Sequence, residues 1–249
     1  MTNLTATSRP VRTNLDSNLD LQELNRRFSH THPLHIISWC LQNFPTGLVQ
    51  ASVFNVDDMA IADMLYRYLD PNPKTRVLFV NTFYHFPETL EFISRVRDAY
   101  DIDLRTYQMA TVANCKAFEQ YYGQQLWEKD AEQFANLTRR EPLQRGLEEL
   151  GALAYLTGRR RDQMREHQQI DILELDSVGR LKVNPLAHWR GRDTWAYIYE
   201  HEVMYHPLHD RGYHIISDRP TADSIPKPVE DESLKRWRGS HKTECGIRS

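Results

Sequence analysis

The strongest constraint on the fold is a regular alternation of short apolar runs with amphipathic ones. Leu48 to Phe54 is a compact apolar run behind Pro45-Thr46-Gly47, and Arg76-Val77-Leu78-Phe79-Val80-Asn81 is the clearest strand in the chain. Between them Met59, Ile61, Ala62, Leu65, Tyr68 and Leu69 recur at helical spacing. Pro87 suits the first turn of a helix spanning Glu88 to Tyr100, and Ile102 to Tyr107 is the next strand. After helical segments at Thr111–Gly123, Leu126–Phe134 and Arg139–Leu150, a fourth strand is expected at Ala152–Thr157. Ile170–Glu174 and Leu181–Val183 flank Ser177-Val178-Gly179 as a hairpin, and a helix starts at Arg192-Asp193-Thr194. Strands alternating with helices give right-handed βαβ units, hence an α/β fold with a twisted, mainly parallel sheet flanked by helices. Ligands of such sheets sit at the carboxyl ends of the strands, so the turns after Phe54 and Val80 should line one crevice.

Composition narrows the partners. A formal net charge of -3 over 249 residues carries no global basicity for nucleic acid or an anionic membrane. Anion binding must then come from local clusters. No apolar run reaches the ~20 residues of a membrane helix, and the polar start, residues 1–18, lacks the apolar core of a signal peptide. That start reads as a disordered lead-in, residues 19–219 as one α/β domain, and the protein as cytoplasmic. Residues 220–249 read as a Pro- and acid-containing linker that delivers a basic tail. The three cysteines, Cys40, Cys115 and Cys245, are too few for a four-cysteine iron–sulfur cluster within one chain. Cys40 lies in an apolar run and should be a buried small hydrophobe. His30, His32 and His35 stand in a Pro-containing linker without a carboxylate nearby, which argues against a metal site.

Two clusters carry chemistry. Cys245 is surrounded by Lys235, Arg236, Arg238, His241, Lys242 and Arg248 against the single acid Glu244. Neighbouring cations lower a thiol pKa from about 8.5 toward neutrality and favour the nucleophilic thiolate. An incidental cysteine in a loose basic tail is the plain alternative. The second cluster is Gly158-Arg159-Arg160-Arg161-Asp162-Gln163, where three guanidiniums follow a strand end and can bind phosphate bidentately. A solvated charged face is the alternative there.

The wording of several segments adds to this. Lys242-Thr243-Glu244-Cys245-Gly246-Ile247 resembles the C-terminal signature Lys-Thr-Glu-Cys-Gly-Leu/Ile-His of the phosphoadenosine phosphosulfate (PAPS) reductases, with Arg248 in place of the histidine. Gly158 to Gln163, Thr82-Phe83-Tyr84-His85-Phe86-Pro87-Glu88-Thr89, Leu126 to Asp130 and Val183 through Tyr213 are similar to further segments of that family. The resemblance extends over residues 47–249. It implies an adenine nucleotide alpha hydrolase-like (PP-loop) fold with a mobile C-terminal tail, and cleavage of activated sulfate by Cys245 through an S-sulfocysteine. Lys242 and His241 would stabilise the thiolate or the leaving oxygen, with Glu244 beside the nucleophile. Ser52, Phe54, Asn55, Thr82, Arg139, Gly158, Arg159, Arg160, Arg161, Gln163 and Arg238 would bind substrate. External reduced thioredoxin or glutaredoxin would release sulfite, with no bound cofactor or iron–sulfur cluster, in a homodimer. Adenosine phosphosulfate (APS) reductases resemble the chain too, but their Cys-Cys pair and Cys-x-x-Cys are missing, so PAPS is the expected substrate.

The chain also departs from the family. The usual Ser-Ser-Ser-Phe-Gly phosphate loop is Ala51-Ser52-Val53-Phe54-Asn55, in which Asn55 would take the glycine's positive φ. Asn81 replaces an Asp, and Arg139 replaces a Lys. Met164, Arg165, Glu166 and His167 lie where Ser/Gly and an Arg are usual, and Thr221-Ala222-Asp223 where Thr-Thr-Arg is usual. Two readings therefore stand side by side: a thioredoxin-dependent PAPS reductase, and a nucleotide-binding relative with no or altered turnover. An ATP pyrophosphatase of the same superfold would need Ser-Gly-Gly-x-Asp-Ser after the first strand, which Ala51 to Val56 does not supply.

Overall fold

The computed structural model describes residues 19–163, 170–213 and 216. The strands are β1 (Leu48–Ala51), β2 (Arg76–Asn81), β3 (Leu104–Gln108), β4 (Ala154–Leu156), β5 (Leu173–Leu175) and β6 (Leu181–Val183). They form one sheet in the order β3-β2-β1-β4-β6-β5. All neighbours run parallel except β5, which pairs antiparallel with β6 as the expected hairpin. The mainly parallel α/β fold is thus as the alternation required.

Why these strands are apolar on both faces follows from what covers them. Val77 and Phe79 of β2 point into a core shared with α1 (Leu21–Phe28), α2 (Pro33–Asn43), α3 (Val56–Asp63), α4 (Pro87–Tyr100) and α9 (Gly191–Glu200). Leu78, between them, points the other way with Val49 and Tyr155, under Leu147 of α8 (Glu141–Glu149). A third, aromatic cluster joins Tyr84, Met109, Phe118 of α5 (Cys115–Tyr122), Leu126 of α6 (Leu126–Lys129) and Phe134 of α7 (Ala131–Ala135). The β5 edge is closed by α1, whose Asn25 amide donates to the Leu173 carbonyl at 2.9 Å and accepts from its N–H at 2.9 Å. One side chain imitates a neighbouring strand.

Local capping explains where the expected boundaries shift. Pro87 opens α4 as foreseen, and α2 opens on Pro33 with the His32 ring accepting from Leu34 N at 3.2 Å. Helix α3 starts three residues before Met59 because Asn55 caps it, and continues as a π-helical turn over Met64–Leu69. The single helix expected over Leu126–Phe134 is two, because the Asp130 carboxylate accepts from Gln133 N at 2.8 Å and starts α7. A second π-helical turn, Asn136–Arg140, precedes α8 where one continuous helix from Arg139 was expected. Cys40 is fully buried, and burial pushes its thiol up. Cys115 begins α5 and its thiol donates to Glu119 at 3.5 Å. Among the described residues no helix is long and apolar enough to cross a membrane.

Gly146 is the point where α8 meets the sheet. A Cβ there would lie 2.6 Å from Leu78 Cδ1 and 2.8 Å from Tyr107 Cδ2. Both neighbours are held by packing on either side, so overpacking at this contact should destabilise by about 1–3 kcal/mol. Chemical denaturation of Gly146→Ala at constant m-value measures it.

Candidate active site

Strand β1 pairs with β2 on one side and β4 on the other, and the connection from β1 runs only toward β2. The loops after β1 and β4 therefore leave in diverging directions at a topological switch point, which opens a crevice at the carboxyl edge. A cavity of about 400 Å³ occupies that place. The β1 loop lines it with Ser52, Val53, Phe54 and Asn55; the β2 end adds Val80, Thr82 and His85. From the β4 side come Thr157, Gly158, Arg159 and Gln163, and from the π-helical turn before α8 comes Arg139. The two turns expected to share a crevice do so.

The β1 loop is a tight turn held by its own polar groups. Ser52 N donates to Leu78 O at 2.9 Å, and Ser52 Oγ accepts from Phe54 N at 3.0 Å. Asn55 was expected to take the positive φ of the usual glycine; instead Phe54 does, at φ 59°, while Asn55 sits at φ -73°. The reason is capping: Asn55 Oδ1 accepts from Asp58 N at 2.8 Å and so must be extended. The strain at Phe54 is held by burial of its ring, edge-on to Phe79 with centroids 6.0 Å apart. Asn81, the Asp replacement, accepts from Phe83 N through Oδ1 at 3.0 Å, a bond that a carboxylate would also make. Thr82 N donates to His85 Nε2 at 3.3 Å and packs that ring over the turn.

The three consecutive arginines separate. Arg159 lines the cavity. Arg160 does not: it is 4% exposed, with its guanidinium on Asp57, on Asp162 at 2.9 Å and on Thr194 at 3.4 Å. Arg161 turns outward to Ile170 O at 2.7 Å and His188 Nδ1 at 2.9 Å. The expected grouping of all three at one site is therefore not what the fold brings together: Arg159 and Arg139 line the cavity, Arg161 does not, and Arg160 is the counter-ion of a buried carboxylate. Gln163 does both jobs, lining the cavity while donating to Asp57 at 2.8 Å. Arg238, His241, Lys242, Glu244 and Cys245 lie outside the described residues, as do Met164, Arg165, Glu166 and His167.

Beneath the loop lie two carboxylates that sequence reasoning missed. Asp57 is 1% exposed and Asp58 3%. Burial pushes the Asp57 carboxyl up, against the pull of Arg160 and of hydrogen bonds from Thr194, Arg160 and Gln163. Burial also pushes Asp58 up to about 7, with the neighbouring Asp57 charge adding to the rise and backbone donors from Val53, Gly158 and Asn55 opposing it. His206, a further lining residue, accepts from Leu208 N at 3.2 Å through Nδ1, which leaves Nε2 to donate to Thr89 Oγ1 at 3.0 Å. Burial lowers it to about 4, so the ring is neutral at working pH. No group of three or more His, Cys, Asp or Glu suited to a metal occurs among the described residues.

Residues 47–223 match the phosphoadenosine phosphosulfate reductase domain family. The chain belongs to that family. Its relatives include a phosphoadenosine phosphosulfate reductase of Emericella nidulans, 37% identical over 91% of this chain and 74% of that protein. An adenosine 5'-phosphosulfate reductase of Anoxybacillus flavithermus is 34% identical over 86% of this chain and 88% of that one. The crystal structure of the PAPS reductase from Candida auris, a phosphate complex, superposes with a TM-score of 0.71 at 32% identity, covering 80% of this chain and 94% of that chain. The FMN adenylyltransferase of Candida glabrata, in complex with ATP, matches at a TM-score of 0.51 and 14% identity, over 89% of this chain and 74% of that chain, a likeness of fold alone. The PAPS reductase family is the one the sequence segments pointed to.

Two outcomes follow from the buried acids. Arg160→Ala strands the Asp57 charge and should cost about 3–5 kcal/mol in denaturation experiments. Asp58 binds its proton more tightly folded than unfolded, so its ionisation lowers stability as pH rises from its ordinary 3.8 to about 7 and adds nothing further above. The charged or titratable groups around it are Asp57 and Arg160 below and Arg139, Arg159, His85 and His206 across the cavity. Those remain in Asp58→Asn, so the stability of the native protein relative to this variant should fall between about pH 4.5 and pH 7 and then level off. Thermal melts across that range measure the slope.

Proposed function

We propose that this protein reduces 3'-phosphoadenylyl sulfate to sulfite and adenosine 3',5'-bisphosphate with a dithiol protein, thioredoxin or glutaredoxin, as the electron donor. Membership of the reductase family supports an oxidoreductase acting on sulfur. The observation that carries the reading to this chain is the cavity at the β1 switch point, where Arg139 and Arg159 meet the hydroxyl-bearing loop turns at Ser52, Thr82 and Thr157. Cations above a strand-end crevice suit a polyanionic nucleotide. The adenosine would lie toward Thr82 and His85, the phosphates and sulfate toward Ser52, Arg159 and Arg139.

In this reading the Cys245 thiolate attacks the sulfur of the bound sulfate. A sulfur–sulfur bond forms as the bond from sulfur to the bridging oxygen breaks, and adenosine 3',5'-bisphosphate leaves with the electron pair of that bond. Lys242 and His241 stabilise the thiolate and the leaving oxygen, and Arg238 supplies a further cation to the anion. The S-sulfocysteine splits one difficult step into two. A thiolate of the external dithiol then attacks Cys245 Sγ and expels sulfite; its second thiol closes a disulfide and returns Cys245 as thiolate. Exclusion of water by the basic tail while it covers the substrate would complete the site.

Relatives bear both PAPS and APS in their names. The choice of PAPS rests on the cysteine count, because three cysteines cannot furnish the four-cysteine cluster that accompanies the APS-preferring wording. The assembly proposed is a homodimer in the cytoplasm.

Sulfite release from PAPS and from APS, with reduced thioredoxin, tests the reading. The native chain should release sulfite from PAPS, and Cys245→Ser should lower that rate by about 10³-fold or more while retaining bisphosphate binding. Turnover retained by the serine variant would overturn the cysteine mechanism. Bisphosphate binding without sulfite from either substrate would instead favour the nucleotide-binding relative, to which the loss of two loop hydroxyls at Ala51 and Val53 points.

A further inference from the structure

The Asp58 carboxylate makes two bonds to backbone groups that are distant in sequence. Oδ2 accepts from Val53 N at 2.7 Å, in the turn after β1, and Oδ1 accepts from Gly158 N at 3.1 Å, in the turn after β4. These are the two turns that diverge at the switch point, and both line the cavity, as Asp58 itself does. Nothing in the sheet fixes their separation, because β1 and β4 end their pairing at Gln50 and Leu156.

Asp58 is in turn fixed from behind. Its N–H donates to Asn55, and its carbonyl accepts from the buried Gln50 Nε2 at 2.9 Å. Gly158 is pressed onto it so closely that a Cβ would stand 2.5 Å from Asp58 Oδ1 and 2.9 Å from Asp57 Cβ. The glycine is thus required by the close approach of Asp57 and Asp58, not by a turn conformation. A buried acid beneath an anion site opposes anion binding through space, so its placement needs a compensating role.

We propose that Asp58 is a positioning residue for phosphate recognition, whose two oxygens set the distance between the β1 turn and the β4 turn. With the tie in place, Ser52 and Arg159 face one ligand across a fixed gap. Without it the two turns stay joined, among the described residues, only through Asp57 to Arg160 and Gln163, and phosphate contacts weaken while the adenosine side at Thr82 and His85, built on β2, stays as it was. This rests on the nucleotide reading of the cavity.

The test is calorimetric titration of adenosine 3',5'-bisphosphate and, separately, of adenosine. Asp58→Asn has the same shape but presents an amide donor to one of the two N–H groups. It should weaken bisphosphate binding about tenfold and leave adenosine within about twofold, the loss of one charge-assisted hydrogen bond. With PAPS as substrate, KM should rise by a like factor, about tenfold, while kcat changes little. A role in fold stability alone would weaken both ligands together. Gly158→Ala approaches the same joint with Asp58 intact and should give the same selective loss, which keeps the test decisive if the asparagine variant does not fold. Native-like bisphosphate affinity in the folded variants, or equal loss of both ligands, overturns the proposal. A native protein that binds no bisphosphate overturns the nucleotide reading and this inference with it.

Discussion

The structure depends on β1 being paired in parallel on both sides. A strand in that position has no free edge and both faces covered, so its residues must be apolar, and its only exit is the carboxyl end. Val49 and Leu48 meet that demand, and Gln50, fully buried, meets it by giving its amide to the Asp58 carbonyl. Because β2 and β4 flank β1, the chain leaves β1 toward one neighbour and returns to the other much later. The crevice between those departures is a consequence of topology. What fills it is a matter of side chains.

The energetics of the site run against ordinary burial rules. Two adjacent carboxylates lie at a cavity for which a polyanion is proposed, and desolvation raises both. A core built for stability alone would place apolar groups there. Asp57 is offset by Arg160, Thr194 and Gln163, which join α3, the β4 turn and α9. Asp58 has only backbone donors for its oxygens in the described contacts, and no cation among them. Departures from local rules that persist in a folded chain concentrate where the arrangement serves binding.

Periodicity made the sheet legible. Alternation of Val77, Leu78 and Phe79 between two faces, and helical spacing from Met59 onward, determined the elements and therefore the place of the crevice. Spacing alone could not reveal Asp58, because its meaning lies in a contact with Gly158 a hundred residues later in the chain. Nor could it divide the arginines. An extended segment sends successive side chains in different directions, so a run of three cations can hold no more than part of its charge at one ligand. The Asn55 expectation failed for a related reason: glycine mimicry and helix capping are both open to asparagine, and the N–H of Asp58 decided for the cap.

On the proposed reading, that division bears on how an anion would be held beside the altered loop. The family's three serines offer hydroxyl donors; here Ser52 remains, and its Oγ already accepts from Phe54 N. A hydroxyl accepting one hydrogen bond still has its own proton to donate, so Ser52 can serve the turn and a phosphate at once. Ala51 and Val53 cannot donate, and Val53 leaves its side chain 55% exposed beside the cavity. Charge must then supply what the hydroxyls do not. Arg139, in place of a lysine, brings a planar fork with five donors where an ammonium has three. On the proposed reading, recognition shifts relative to the family pattern from short hydroxyl contacts in the loop to guanidinium contacts from the β4 turn and from the π-helical turn before α8. On the same reading, such recognition tolerates loss of loop donors only while the turns carrying Ser52 and Arg159 stay at one separation, and the carboxylate bonded to Val53 N and Gly158 N is the group placed to hold it.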